Sequence, residues 1–443
     1  MKKVVLSLAG VLAATAFAPE ASALPAFARQ TGLACSSCHF QHFPVLGTTG
    51  QEFKNSAFTQ QSAKGKFKSE DLAITDNLNA AILFKARYQK TNGTDAAGAV
   101  NGASTNGGQW QIPDEMSLFF GGRIGDSGTI KMGFLNENNV VGGNGGGGIV
   151  TGLKLPIAIS LDPVTVQVIP YGTDTLGVAY GYEQSSTGMN RGIRWAENRS
   201  DISAAQYTNI GNSAASGVTF VVNSDMGYIN VTKWSPSLFY SPVGGAIGIG
   251  TGVEMKSTWI RAALTPTIAG WATHIGVGQA SGTSFGNQAG GPIKYETKGT
   301  VVDFQGQGEV AGMETSLYAQ YANAPATAAG TGATSLYNSK VTARKAVTLG
   351  ADFSVIAHTL HVGAAYRIAN TGVTAAQQAA GAGDKDNSLT LTVVYDLFQN
   401  VALHVNHSMR SGSSYNATGT NAAATAVGGS GKTLTTFLLE AAW

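Results

Sequence analysis

"LNAAILFKARY", residues 78–88, alternates along its length. In an extended chain Ala80, Ile82, Phe84, Ala86 and Tyr88 fall on one face, and Asn79, Ala81, Leu83, Lys85 and Arg87 on the other. A period of two is the signature of a β-strand. Working outward, similar stretches recur along the chain: "MSLFFGGRI", "TIKMGFLNE", "TLGVAYGYE", "GVTFVVNS", "GYINVTKW", "GAIGIGTGVEM", "TWIRAALTP", "THIGVGQ", "GTVVDFQG", "SLYAQYANA", "AVTLGADFSV", "LHVGAAYRI", "LTLTVVYDL", "VALHVNHSM" and "TLTTFLLEAAW". The expected count is about 16 strands.

Connection lengths decide what kind of β-protein this is. Only residues 398–400 separate "LTLTVVYDL" from "VALHVNHSM", and the chain turns as briefly around His358. Residues 91–109, 369–387 and 411–432 are instead long, polar and low in complexity. Short turns on one side and long loops on the other are the pattern of an antiparallel transmembrane β-barrel, whereas in a soluble domain such loops count against the strands. The last segment puts Phe437, Leu439, Ala441 and Trp443 on one face, which resembles the closing strand of outer-membrane proteins. Charged residues make up 12% of the chain, about half the share of an ordinary soluble domain. Glycine supplies 58 residues without a collagen period, and the glycine run at 142–148 lacks the GK[ST] setting of a phosphate loop. A net charge of +2 argues against a nucleic-acid surface. A soluble sandwich and a repeat protein are the alternative β-folds. In a barrel the polar face lines the interior, here with Lys85, Arg87, Arg123 and Lys131.

The start of the chain carries the chemistry. Lys2 and Lys3, the apolar run over residues 4–17 and the A-x-A pattern Ala21-Ser22-Ala23 read as a secretory leader covering residues 1–23. Shortly after it, Cys35-Ser36-Ser37-Cys38-His39 holds both cysteines of the chain. In CxxCH two thiols add to the vinyl groups of a haem and the next imidazole ligates the iron. A disulfide or a redox-active CxxC pair are the alternatives in an exported chain. A zinc site lacks the further cysteines it needs.

Residues 24–54, "LPAFARQTGLACSSCHFQHFPVLGTTGQEFK", resemble the start of the fused monohaem c-type cytochrome-porins of iron-oxidising bacteria, which open with PAFARQTG, CxxCH, FP and FGRxFK. Residues 25–32 match, as do Cys35, Cys38, His39, Phe43, Pro44, Leu46, Gly50, Phe53 and Lys54; Thr49 and Gln51 depart from the pattern, standing where an aromatic residue and an arginine are usual. The resemblance implies a monohaem cytochrome c segment at residues 24–75 and a porin-like barrel at 76–443, in the outer membrane and in contact with its lipid. It implies one covalent haem c on Cys35 and Cys38, with His39 as the axial ligand. The implied activity is that of an Fe(II) oxidase: extracellular Fe(II) gives one electron, which passes through the haem to a periplasmic c-type cytochrome. A conduit for another donor or acceptor, and a passive diffusion porin with an N-terminal plug, are the competing functions. The haem segment is too short for a large core of its own, so it is expected inside the lumen or docked at one opening.

The ligand on the far side of the iron is not given by the motif. His42 lies three residues after His39, a span poorly able to reach the opposite face of the same haem. A hydrogen-bonding neighbour of the haem site is its expected role, with axial ligation or proton coupling as alternatives. Barrel candidates for the distal position are Met116, Met132, His274, His358, His361, His404 and His407; the last two, three apart in a strand, face opposite sides. Loop acids such as Asp95, Asp384 and Asp386 are scattered and spell no iron site. Tyr88, Trp110, Trp234, Trp271 and Trp443 are expected in interfacial girdles.

Overall fold

The computed structural model describes residues 25–62, 66–68, 73–75, 79–92, 107–142, 152–187, 198–237, 254–288, 291–326, 334–398, 400–415 and 431–443. The expected leader, Asp95, nearly all of the glycine run and most of "GAIGIGTGVEM" lie outside the described residues.

The strands close into one antiparallel barrel. In chain order its staves are β1 (Ala80–Thr91), β2 (Gln109–Asp126), β3 (Ile130–Gly142), β4 (Gly152–Lys154 with Ile157–Leu161), β5 (Val164–Thr173), β6 (Ala215–Ser224), β7 (Gly227–Ser235) and β8 (Ser257–Leu264 with Thr267–Ile268). They continue as β9 (Trp271–Ser281), β10 (Gly299–Val310), β11 (Met313–Ala324), β12 (Arg344–Ile356), β13 (Leu360–Asn370), β14 (Asn387–Phe398), β15 (Val401–Ser411) and β16 (Thr433–Ala442). The described residues thus form 16 staves, and β16 pairs with β1, from Leu434 opposite Thr91 to Ala442 opposite Leu83. A 12-residue stave such as β11 is about 40 Å long, and tilted by about 40° it covers the roughly 25 Å apolar band of an outer membrane.

The alternation read from residues 78–88 decides which face meets lipid. Lys85 is buried inside against Glu115 (3.1 Å) and Glu440 (3.3 Å), and Arg87 pairs with Asp114 at 2.7 Å. Outward positions such as Ile229, Ile260, Val277, Leu349, Ile368 and Phe437 are exposed apolar groups. That belt, opposite a polar interior, is the surface of a barrel that sits in a bilayer.

One of the expected strands differs. "TLGVAYGYE" is no stave: residues 174–187 and 198–214, between β5 and β6, turn into the lumen. There Thr187 donates to Asp303 (2.9 Å), Ser203 to Gln320 (3.0 Å), and Asp201 accepts from Arg410 of β15 (2.9 Å). Leu176, Val178, Ala179 and Tyr180 are buried in one core with Trp234 and Trp259 inside the barrel. Conversely, β4 and β5 escape a reading by alternation because Pro156, Pro163 and Pro170 interrupt it. Trp234, expected at the membrane interface, is fully buried in this interior core. Trp110, by contrast, is outside and 70% exposed, with its ring 4.9 Å from that of Tyr88.

The N-terminal segment forms three short helices, α1 (Pro25–Thr31), α2 (Cys35–Cys38) and α3 (Thr48–Asn55). The rings of Phe27, Phe53 and Phe58 pack together at 4.9, 5.3 and 5.7 Å and give it a small apolar centre. It sits inside one mouth of the barrel. Arg123 donates to Gln61 (3.3 Å), Gln167 to the Asn55 carbonyl (3.2 Å), Gln307 to the Leu46 carbonyl (3.0 Å), and Ser316 to Gln41 (2.6 Å). These wall residues lie within four positions of the strand ends that carry the short turns. That is the periplasmic side of an outer-membrane barrel.

Candidate haem-attachment site in the short-turn mouth

A single helical turn separates Cys35 from Cys38, so both thiols emerge on one face of α2. Neither is joined in a disulfide, and both are half-buried beside the exposed Ser36 and Ser37. Burial pushes the Cys38 thiol up, the reverse of the shift that makes a reactive thiolate. That speaks against a CxxC redox pair. Cys35 Sγ lies 4.0 Å from Oδ1 of Asn400, in the short turn between β14 and β15, which places the motif at the barrel opening.

After Cys38 the chain leaves the helix, with His39 extended at φ −107° and ψ 133°. It doubles back at once: the Phe40 amide donates to the Val45 carbonyl (2.9 Å), Val45 to His42 (3.1 Å) and Gly47 to Cys38 (2.9 Å). His39 Nδ1 is 3.2 Å from that same Val45 carbonyl. A carbonyl only accepts, so Nδ1 carries the proton and the ring lone pair is on Nε2, the tautomer an axial imidazole needs. Gly50 completes the clamp, since a Cβ there would run into the Cys38 carbonyl oxygen as α3 crosses the CSSC turn. Two thiols on one face and an imidazole held in the ligating tautomer are a donor set that fits a covalently attached haem.

His42 points away from this face into the wall. Its Nε2 is 3.0 Å from Oδ2 of Asp352 on β12, with both side chains 2% exposed, and its Nδ1 is 2.9 Å from the Phe43 carbonyl. Burial works against the charged ring, but the hydrogen bond and negative charge of Asp352 prevail, so its pKa stands above the ordinary imidazole value. Gln41, at φ 64°, donates to the carbonyls of Glu314 (2.9 Å) and Asp352 (3.0 Å) and secures the same loop.

Of the distal candidates, the structure brings two to the N-terminal segment. His274 Nε2 is 3.1 Å from Oε1 of Gln51 on α3, and the His361 ring lies 5.1 Å from that of His42. His404 is buried on the inner face of β15, and His407 meets Thr435 at 2.8 Å. His358 occupies the β12–β13 turn at φ 53°, and Met116 and Met132 lie in β2 and β3. Among the loop acids, Asp386 pairs with Arg367 (2.6 Å) and Asp384 with Lys385 (3.5 Å). Sequence reasoning missed Asp352, Asp396 and Arg261, although a lone acid on the polar face of "ADFSV" was a usable signal for Asp352.

None of the known protein-family models matches the chain, and no curated protein matches it either. Solved outer-membrane barrels do. The channel DcaP of Acinetobacter baumannii is 12% identical, with 86% of this chain and 100% of that one covered at a TM-score of 0.50. OmpF of Salmonella typhi, in complex with daunomycin, is 9% identical over 85% and 100% at 0.47, and OmpT of Vibrio cholerae 12% over 86% and 100% at 0.45. With its closed 16-stave barrel and outward apolar belt, the chain has the fold of the outer-membrane porins and is a protein of that membrane.

Proposed function

We propose that this protein is a cytochrome-porin that draws single electrons from extracellular Fe(II) and hands them to a periplasmic c-type cytochrome through one haem c. The observation that carries the reading is the CSSCH turn in the periplasmic mouth, with its two thiols on one face and His39 Nδ1 committed to the Val45 carbonyl. Bound there, a haem would supply a one-electron couple. Cys35 and Cys38 would hold it by thioether bonds, and His39 Nε2 would face the iron. The hydrogen bonds of residues 39–47 and the contact at Gly50 keep these groups in register. Ser36 and Ser37, exposed at the opening, leave a side of the motif accessible to a soluble partner. Fe(II) as donor rests on the resemblance of residues 24–54 to the iron-oxidising family.

A passive porin is favoured by the barrel alone. Against it stand the N-terminal segment hydrogen-bonded across the mouth and the inward loop, whose Tyr182 donates to Asn55 of α3 at 2.7 Å. Co-expression with a cytochrome maturation system tests the proposal. A covalent haem stain on the full-length chain, lost in Cys35→Ala and in Cys38→Ala, is expected. The ferric spectrum should convert to ferrous on adding Fe(II) to membranes. An unstained chain refutes the haem, and a haem left oxidised by excess Fe(II) refutes the iron oxidase.

A further inference from the structure

The hairpin that follows the haem motif delivers His42 to a cluster on the barrel wall for which simple electron transfer has no use. Glu314 comes from β11, Asp352 and Ser354 from β12, His361 from β13 and Asp396 from β14. The hydrogen-bond partners of the two imidazoles dictate where protons can reside. Both His42 partners, the Asp352 carboxylate at 3.0 Å and the Phe43 carbonyl at 2.9 Å, only accept, so the geometry suits a ring protonated on both nitrogens.

His361 is different. Its Nε2 is 3.2 Å from Oδ2 of Asp396 and carries a proton. Its Nδ1 is 3.1 Å from Ser354 Oγ, which is also 3.1 Å from Oε2 of Glu314. A hydroxyl has one hydrogen to give. Turned toward Glu314, Ser354 accepts from a protonated Nδ1; turned toward Nδ1, it satisfies the neutral ring. One hydroxyl rotation therefore accommodates one proton gained or lost. The His361 side chain is fully buried, whereas Glu314 is partly exposed two residues after the short turn between β10 and β11, so Glu314 connects Ser354 and Nδ1 to water. Tyr318 of β11 faces Asp352 from the remaining side. With both rings protonated, the three carboxylates leave the cluster with one net negative charge, and with His361 neutral they leave two.

We infer that His361 is a proton-exchanging site linked to the redox state of the group held at Cys35 and Cys38. The inference rests on the haem reading above. As an electron arrives beside His39, a proton from the periplasm enters at Glu314 and is relayed by Ser354, whose hydroxyl gives its hydrogen to His361 Nδ1, takes up the incoming one and is left donating to Glu314. When the electron leaves for its acceptor, the proton returns and the hydroxyl turns back. The link is electrostatic, because residues 39–45 form one hydrogen-bonded hairpin and the His42 ring packs 5.1 Å from His361. Added negative charge at the motif favours the protonated cluster. A cluster that only seats the segment in the barrel would hold the same protons in both redox states.

The test uses the haem-loaded full-length chain in lipid nanodiscs, with covalent haem quantified first. Its midpoint potential should fall as pH rises between about 5 and 8, the range of imidazole titration. In His361→Gln and in Ser354→Ala the slope should drop at least about twofold, with haem content and barrel folding retained. A second readout needs no haem: in the Cys35→Ala chain the His361 ring resonance should move with pH. A slope unchanged in both variants, a wild-type potential independent of pH, or a His361 resonance that does not titrate overturns the inference. A haem-replete protein with a flat profile sinks this inference alone, whereas a chain that attaches no haem sinks the conduit reading with it.

Discussion

Replacing Asp352 by alanine should loosen the loop that carries the haem motif. The substitution removes the partner of a His42 ring that is 2% exposed and bonded at 3.0 Å. Breaking a buried ion pair from one side costs about 3–5 kcal/mol when the remaining charge stays in place. His42 can instead give up its proton, which limits the loss to about 1–3 kcal/mol. The open population of the hairpin at residues 39–47 then rises roughly 10- to 100-fold. Hydrogen exchange of the Phe40, Val45 and Gly47 amides, all bonded within that hairpin, reads this opening directly. The pH dependence has a definite sign. The His42 pKa is raised on folding, because Asp352 outweighs the burial that disfavours charge. Its contribution is therefore complete below the unfolded value of about 6.5 and is lost as pH rises through the folded value. Wild-type protection, corrected for intrinsic exchange, should fall across that window, and that of Asp352→Ala should not. Protection in the variant within about twofold of wild type at every pH would refute the pair as the anchor of the loop.

Three further outcomes follow from contacts within the barrel. Gly50→Ala pushes a methyl group into the Cys38 carbonyl, so covalent haem per folded barrel should drop several-fold on a stained gel while barrel formation is unaffected. Gly133→Ala does the same at the Ala57 carbonyl, where the N-terminal segment meets β3; protease added from the short-turn side should cut residues 25–62 faster than in wild type, with the barrel left whole. Arg261→Met strands Glu183 and Asp303, which sit 2.9 and 2.6 Å from the guanidinium with side chains 2% and 0% exposed. The loss of about 3–5 kcal/mol should lower the temperature of the folded-to-unfolded gel-mobility shift, and adding Glu183→Gln with Asp303→Asn should recover most of it.

The barrel was legible wherever strand periodicity acted alone. Residues 80–88 and 433–442 alternate as read, with Lys85 and Glu440 paired inside and Phe437 outside. The reading failed where a second constraint was superimposed. Residues 175–183 alternate in sequence yet form no stave, because the segment turns inward and is buried on every side from Leu176 to Glu183, and prolines concealed β4 and β5. Trp234 shows the same ambiguity: an aromatic residue near a strand end suits an interfacial girdle and an interior core equally well until the inward loop is in place.

By itself, then, the sequence determined what local chain geometry and covalent chemistry determine. A period of two assigns faces to a strand, and CSSCH places two thiols and an imidazole within one turn and its exit. Neither needs a distant partner. Closure of the barrel decided the rest. Asp352 is 310 residues from His42 in the chain, and Gln307 is 261 from Leu46, so the seat of the N-terminal segment exists only once β16 has paired with β1. Buried charges and hydrogen-bonding groups must find partners wherever the fold brings them. For that reason the proton-holding surroundings of His42 belong to the tertiary structure, while the identity of the motif beside it belongs to the sequence.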